Sequence, residues 1–162
     1  MGLVLSFAKE KKSIYTLKKL DETSIGYFTF SGQNFACKCV DVYDGDTVTL
    51  VVPIKDSYYK MKCRLYGIDT PEKKTKDGYE KKCANIARNR MIELIHGKIV
   101  WVECIDWDKY GRLLANIYLK KSDMKNSRNS VNDLMIVENL AYGYDGGKKI
   151  EFSDWKNKFN KK

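Results

Sequence analysis

The sequence predicts an α+β protein in which a small five-stranded β-barrel is accompanied by about three helices. Two observations predict this architecture. Short segments of alternating apolar and polar residues, separated by turn signals, recur along the middle of the chain, and one longer segment with helical periodicity interrupts them. The 162 residues, 43% of them hydrophobic, fit one domain with a substantial core.

Five segments of the chain carry the strand pattern. The first three follow one another with only short turns between them, which predicts three consecutive antiparallel strands. The second segment is rich in valine and threonine, and Pro71 ends the third. The predicted strands cover residues 35–43, 47–54, 58–68, 99–105 and 113–119.

The predicted helices lie between and after these strands. Apolar residues at helical spacing predict a helix from Cys83 to Ile95, closed by Gly97. Ser130 and Asp133 predict a capping box at the start of a second helix. A third, short helix is predicted by three aromatic residues that share one face: Phe152, Trp155 and Phe159. Five short strands with a helix between the third and fourth are the plan of the OB-fold, a Greek-key barrel that often binds oligonucleotides.

The net charge and the cysteine content limit the binding partners and the cellular setting that the sequence allows. The formal net charge of +9 favours a polyanionic partner, either nucleic acid or an anionic membrane surface. No segment approaches the length of a transmembrane span. The five cysteines are odd in number and no secretory signal is recognisable, so we expect an intracellular protein without a disulfide framework. Cys37 and Cys39 are interpreted as small apolar groups on one strand face, since no second Cys or His pair follows to complete a zinc site.

Three short motifs carry the chemistry of the sequence. They are Asp44–Thr47, Arg64–Glu72 and Asp108–Arg112. Together they offer three carboxylates that can hold a hard cation and position water, and two guanidinium groups that can bind a phosphate. A cation and two arginine side chains are what phosphodiester hydrolysis requires of a protein.

The first two motifs predict a cation site. Asp46 lies at the start of the second strand and Asp69 at the end of the third, and neighbouring antiparallel strands bring such ends together. Two carboxylates, one backbone carbonyl and several waters would make an open calcium site. The spacing excludes an EF-hand, because position six of such a loop, counted from Asp41, would not be glycine. The simpler alternative is that Asp44 and Asp46 only stabilise a hairpin turn.

Two arginines predict a phosphate site. Arg64 and Arg112 come from different strands or strand ends, and each can donate two parallel hydrogen bonds to phosphate oxygens. Such donors stabilise the charge that grows on the non-bridging oxygens in the transition state. The alternative is that both are solvated surface charges, and Glu72 after Pro71 has the same alternative.

In order and internal spacing, the three motifs resemble those of the staphylococcal-nuclease (thermonuclease) family, over residues 35–149. The resemblance implies the same barrel with further helices after it. It implies that Asp46 and Asp69 ligate a metal through their side chains and Thr70 through its backbone carbonyl. It also implies that Glu72 holds the attacking water, as a general base or as a positioning group, and the sequence leaves both roles open.

The same resemblance implies contacts to the substrate. Lys109 and Tyr110 would contact the scissile or a neighbouring phosphate, and Tyr142 or Tyr144 would stack on a base or flank the sugar. Residues 146–149 either line the same rim with backbone amides and charge or form a plain loop. Asp108 is interpreted as an orienting group or a turn residue.

The amino-terminal 33 residues are predicted to be a basic arm, flexible or lipidated, and residues 34–162 the nuclease domain. The start of the chain satisfies the N-myristoylation pattern, with Gly2 as the acceptor, and would place the protein at a membrane. An anionic membrane surface would then bind the lysines of the arm: Lys9, Lys11, Lys12, Lys18 and Lys19. The alternative is a disordered or strand-adding arm.

These observations predict a calcium-dependent nuclease, monomeric, that hydrolyses DNA and RNA without discriminating between their sugars. The resemblance implies attack by water and cleavage that leaves 3′-phosphate ends. The alternative is a catalytically inactive OB-fold module that binds nucleic acid or protein. Such modules typically lack the acidic and arginine residues that this chain has. A third alternative, a membrane-anchored adaptor, rests on the arm alone.

Overall fold

A computed structural model describes residues 2–159 of the chain, with side chains from Glu10 onward. The strands are β1 (Asn34–Val42), β2 (Thr47–Ile54), β3 (Ser57–Leu65), β4 (Ile68–Asp69), β5 (Ile99–Trp107), β6 (Leu113–Tyr118) and β7 (Tyr142–Gly143). The α-helices are α1 (Gly2–Leu17), α2 (Gly78–Ile95), α3 (Val131–Val137) and α4 (Phe152–Trp155). Short 3₁₀-helices cover Glu22–Ser24, Lys121–Lys125 and Ser127–Asn129.

Five of these strands close into a barrel in the order β1-β2-β3-β6-β5, with β5 pairing back to β1. The pairing of β3 with β6 is parallel and the other neighbours are antiparallel. The predicted five-stranded barrel and α+β class are therefore confirmed. Alternate side chains of β2 fill its interior, among them Val48, Leu50 and Val52. The five cysteines are free, and all of them are buried in the same core.

The third strand is shorter than predicted, and the sequence-based end at residue 68 is wrong. β3 stops at Leu65, and the chain turns at Gly67 with a φ of 76°. Asp69 therefore does not end β3. It lies with Ile68 on β4, which pairs antiparallel with Tyr142–Gly143 of β7. This two-stranded sheet brings the chain beyond α3 back to the mouth of the barrel.

The helix after the third strand is confirmed and begins earlier than its apolar pattern suggested. Asp77 caps it by accepting hydrogen bonds from the backbone N–H groups of Tyr79 and Glu80. The polar first turn hid this start from the pattern of buried residues. One face of α2 packs on the barrel through residues that include Ala87 and Met91.

The second predicted helix, α3, is anchored to the barrel by Asn132. Its amide Nδ2 donates to the carbonyl oxygens of Tyr66 (2.9 Å) and Ala115 (3.0 Å), and its Oδ1 accepts from the N–H of Ile117 (3.1 Å). Ser130 caps the helix as expected, by accepting from the N–H of Asp133, but the N–H of Ser130 donates to the carbonyl oxygen of Ser127 (3.0 Å), so the predicted capping box is only half formed. The third predicted helix is one turn long, α4, and its aromatic face is partly or fully buried as expected.

The amino-terminal arm contains a helix that the sequence interpretation missed. From Glu10 to Thr29 every side chain of the arm is exposed, and Phe30 is the first to join the core, where it packs against Phe35 and Trp107. The lipidation predicted at Gly2 concerns a stretch whose side chains lie outside the described residues. Within residues 2–159, none of the helices has the length and apolar character that crossing a membrane requires.

Candidate active site

Two buried carboxylates lie at the mouth of the barrel. Asp46 directly precedes β2 and is 3% exposed, and Asp69 on β4 is 2% exposed. Asp46 Oδ2 accepts hydrogen bonds from both the backbone N–H (3.0 Å) and the hydroxyl (2.9 Å) of Thr70. Asp46 and Thr70, which are 24 residues apart in the chain, thereby join the first two motifs into one structure.

Gly45 makes this junction sterically feasible. A Cβ at this position would lie 2.8 Å from Cγ2 of Thr70 and 3.0 Å from Cβ of Ala87 on α2. Real side chains do not approach that closely, so any other residue would push Thr70 away from Asp46. The sequence suggested only a turn residue here.

Arg64 lies between the two carboxylates. Its Nη1 donates to Oδ1 of Asp46, and its Nη2 donates to Oδ1 of Asp69 (2.6 Å) and to the carbonyl oxygen of Ile68 (3.1 Å). Burial alone would lower the pKa of this guanidinium, but the charges and hydrogen bonds of Asp46 and Asp69 raise it above its usual value. The arginine is therefore a permanent cation in a fixed position.

Glu72 lies at the exposed rim beside Lys149. The ammonium of Lys149 is 2.6 Å from Oε1 of Glu72 and 3.1 Å from Oδ1 of Asp69. Burial alone would lower the pKa of Lys149, but its contacts with Glu72 and Asp69 raise it. The sequence treated residues 146–149 as either a rim or a plain loop, and it did not identify Lys149 as a neighbour of Glu72.

The two predicted substrate-binding tyrosines of this loop lie in different places. Tyr142 is buried against Trp155, and its hydroxyl donates to Oδ2 of Asp69 (2.5 Å). Burial, together with Asp69, raises the pKa of Tyr142 above its usual value. Tyr144 faces the cleft, with its ring centre 6.0 Å from Cζ of Arg64. Tyr144 is placed to meet a ligand, whereas Tyr142 orients Asp69.

The third motif forms the opposite rim of the cleft. Asp108 Oδ1 accepts from the N–H groups of Tyr110 and Arg112 (both 2.8 Å), and Nε of Arg112 donates to Asp108 Oδ2 (2.5 Å). Nη1 of Arg112 lies 3.4 Å from the hydroxyl of Thr47. Asp108 therefore orients Arg112, as the sequence interpretation allowed. Lys109 and Tyr110 project from the same turn, and Tyr110 is 73% exposed.

The cleft between these rims has a volume of about 710 Å³ and joins all three motifs. The functional groups that line it are Asp46, Arg64, Asp69, Thr70, Glu72, Lys109, Tyr110, Arg112, Tyr144 and Lys149. Asp44 is also on its wall, and burial followed by the charge of Asp46 raises the pKa of this carboxyl to about 6. Among the described residues that were predicted to form the site, Tyr142 alone is absent from the wall of this cleft.

The donor set of the cleft suits a hard divalent cation. Carboxylate oxygens are the ligands that calcium prefers, and the carboxylates of Asp46, Asp69 and Glu72 outnumber the cations of Arg64 and Lys149. Within residues 2–159, however, no cluster of three or more acidic, Cys or His side chains is arranged as a metal cage. The protein alone supplies few ligands, so a bound ion would keep several waters.

Comparison with known proteins gives an independent result. Residues 62–161 match the sequence family described as "Staphylococcal nuclease homologue". A protein of Escherichia coli O157:H7 named "Uncharacterized endonuclease" is 32% identical over 108 residues, which are 67% of this chain and 60% of that protein.

Two further relatives carry related names. The "Staphylococcal-like nuclease CAN1" of Arabidopsis thaliana is 30% identical over 104 residues, 64% of this chain and 28% of that protein. The "Micrococcal nuclease" of Shigella flexneri is 28% identical over 113 residues, 68% of this chain and 59% of that protein. The matched part of this chain thus spans about 60% of the length of the bacterial relatives.

Proposed function

We propose a function for this chain on the basis of its family. The chain belongs to the family of staphylococcal nuclease homologues. The proposed reaction is metal-dependent hydrolysis of phosphodiester bonds in DNA and RNA, with water as the nucleophile. The proposed metal is calcium and the proposed products carry 3′-phosphate ends. The observation that carries the proposal is the convergence of three separate motifs on one cleft, where carboxylates and two arginines face each other.

The two arginines would both bind the scissile phosphate, Arg64 from the mouth of the barrel and Arg112 from the rim of the cleft. Three of the five N–H groups of Arg64 are engaged with Asp46, Asp69 and Ile68, which leaves two for a phosphate. Arg112 is held through Nε and, more weakly, through the contact of Nη1 with the hydroxyl of Thr47, and its side chain lines the cleft. Both guanidinium groups would stabilise the charge that develops on the phosphate oxygens in the transition state.

Glu72 would act on the attacking water. It is exposed at the rim, close to the buried carboxylates, and its N–H is fixed by Oε1 of Glu80 (3.0 Å). A carboxylate in this position can accept a proton from the water molecule, or it can orient the lone pair of that water. A calcium ion held by Asp46, Asp69 and Thr70 would supply charge neutralisation to the phosphate.

The first experiment tests metal dependence with purified full-length protein, plasmid DNA and a structured RNA, in calcium, magnesium or EDTA. We expect cleavage of both nucleic acids in calcium, less in magnesium because it insists on octahedral geometry, and none in EDTA. Labelled products that ligate only after phosphatase and kinase treatment would indicate 3′-phosphate ends. Cleavage that persists in EDTA would contradict the proposal.

A pair of variants separates an enzyme from a binding module. Glu72→Gln should lower the cleavage rate at least about a hundredfold, the low end for general acid–base catalysis, with nearly unchanged affinity for an oligonucleotide. The matched control is Glu93→Gln on α2, a carboxylate that pairs with Arg90 and is absent from the cleft wall. Binding of nucleic acid without cleavage by the wild-type protein would favour an inactive OB-fold module instead.

A further inference from the structure

Lys149 is a cation brought into the cleft by a segment that belongs to none of the three motifs. Its ammonium contacts Asp69 and Glu72 at once, although 77 residues separate it from Glu72 in the chain. The predicted metal ligand Asp69 therefore faces two protein cations, because its Oδ1 also accepts from Arg64. Nothing in the three motifs calls for this second cation.

The loop that carries Lys149 makes polar contacts on both sides of the lysine. Before it, the hydroxyl of Tyr144 donates to the carbonyl oxygen of Gly147 (3.0 Å). After it, the hydroxyl of Tyr142 lies 3.3 Å from the carbonyl oxygen of Ile150 as well as 2.5 Å from Asp69. The same tyrosine thus fixes a buried carboxylate and the backbone next to Lys149, so the lysine is placed over the carboxylates by the fold.

The ion pairs of Lys149 can be broken and replaced by those of another cation. Its side chain is 47% exposed and Glu72 is 58% exposed, and ion pairs between exposed groups contribute little to stability. Arg64 is 11% exposed and bound by both buried carboxylates, so it cannot leave as easily. Of the two cations on Asp69, Lys149 is the one that another cation can displace.

We propose that Lys149 is a resident counterion of the cation site. A divalent ion must displace its ammonium from Asp69 and Glu72, and the released ammonium then binds a phosphate of the nucleic-acid substrate. The proposal rests on the function proposed above and adds a consequence to it. Metal and nucleic acid should bind with positive coupling, because each favours the state in which Lys149 has left the carboxylates.

The first test measures calcium affinity directly, by isothermal titration calorimetry in the absence of substrate. Lys149→Met removes the charge and keeps a side chain of similar length. We expect it to bind calcium at least about fivefold more tightly, the effect of losing a partly exposed ion pair. The control Lys148→Met removes the neighbouring lysine, which makes no ion pair with the carboxylates in the described part of the chain, and should match the wild type.

A further variant separates charge competition from a structural role. Lys149→Arg retains the charge and should keep the weaker, wild-type-like affinity. If Lys149→Met binds calcium no more tightly than the wild type, or if Lys149→Arg tightens binding equally, the proposal is wrong.

The second test measures coupling with a single-stranded phosphorothioate oligonucleotide, which resists cleavage. We expect the oligonucleotide to tighten calcium binding to the wild type more than to Lys149→Met. An equal gain in both proteins would overturn the transfer of Lys149 to phosphate.

The failures of the two proposals are distinguishable. Wild-type cleavage in calcium with an unchanged affinity in Lys149→Met would leave the nuclease standing and reject the role of Lys149. If Lys149→Met binds calcium more tightly but the wild-type protein cleaves no nucleic acid, the role of Lys149 would stand and the nuclease function would be rejected.

Discussion

The two arginines of the cleft have the same chemistry but are held in different ways. Arg64 is 11% exposed and lies between two carboxylates that are each nearly inaccessible to water. Arg112 is 26% exposed, and it pairs with one carboxylate that belongs to its own turn. Arg64 is part of the structure of the barrel mouth, whereas Arg112 lies on the rim of the cleft.

The difference teaches which of the two arginines the fold itself depends on. Removing Arg64 would take away the cation that pairs with the buried Asp46, and it would leave Asp69 with Lys149 as its partner. Removing Arg112 would leave Asp108 with two backbone N–H donors, from Tyr110 and from residue 112 itself. The inner arginine should therefore support both folding and chemistry, and the outer arginine mainly chemistry.

One expected effect is on turnover and does not distinguish the two arginines. Arg64→Lys and Arg112→Lys keep the charge but lose the planar pair of donors. Each should lower the single-turnover rate about a hundredfold, as loss of a transition-state donor does, with a much smaller change in substrate affinity.

Single-turnover kinetics beside binding isotherms at two salt concentrations would measure this. If the changes alter only salt-dependent affinity, both arginines are phosphate anchors and the proposed mechanism is wrong.

The next effect is on stability and separates the two arginines. Arg64→Met should lower the free energy of unfolding by about 3–5 kcal/mol, the cost of breaking a buried ion pair. Arg112→Met should lower it by less than about 1 kcal/mol, as expected of a partly exposed pair.

Urea denaturation without metal would measure both values. Calcium should restore part of the loss in Arg64→Met, because a bound cation takes over the neutralisation of Asp46 and Asp69. Equal losses in the two variants would contradict this greater dependence of the fold on Arg64.

The barrel was predictable because its signals are local, and most of the cleft was predicted from the family resemblance that its three motifs carry. Alternation of apolar residues marks each barrel strand, and the motif residues sit at strand ends that a barrel brings together. The position of Asp69 on its own strand was not predictable, since two-residue strands carry no periodicity. The partner of that strand lies beyond α3, and only the folded chain shows the pairing.

The parts of the site that were missed depend on contacts between distant segments. In the sequence, nothing distinguishes Lys149 from the other lysines. Only the fold shows that its loop places it beside Glu72. The resemblance offered Tyr142 and Tyr144 as alternatives for the substrate contact, and only the fold shows that the ring of Tyr142 is turned inward and its hydroxyl to Asp69. In the sequence, Gly45 resembles any turn glycine. Only the fold shows that Thr70 and Ala87 leave no room for a side chain at this position.

The smallest expected effect concerns the outer arginine's partner, Asp108. Burial alone would raise the pKa of this carboxyl, but hydrogen bonds from Arg112 and the backbone lower it below its usual 3.8. A carboxyl with a lower pKa in the folded state stabilises the protein above the unfolded pKa, and this contribution is lost as the pH falls through the folded pKa. Asp108→Asn should therefore be slightly less stable than the wild type at pH 7, and the gap should narrow below about pH 4. Urea midpoints from pH 7 to pH 3 would measure the gap, and a gap that stays constant or widens in acid would show that Asp108 is not held as an anion by Arg112.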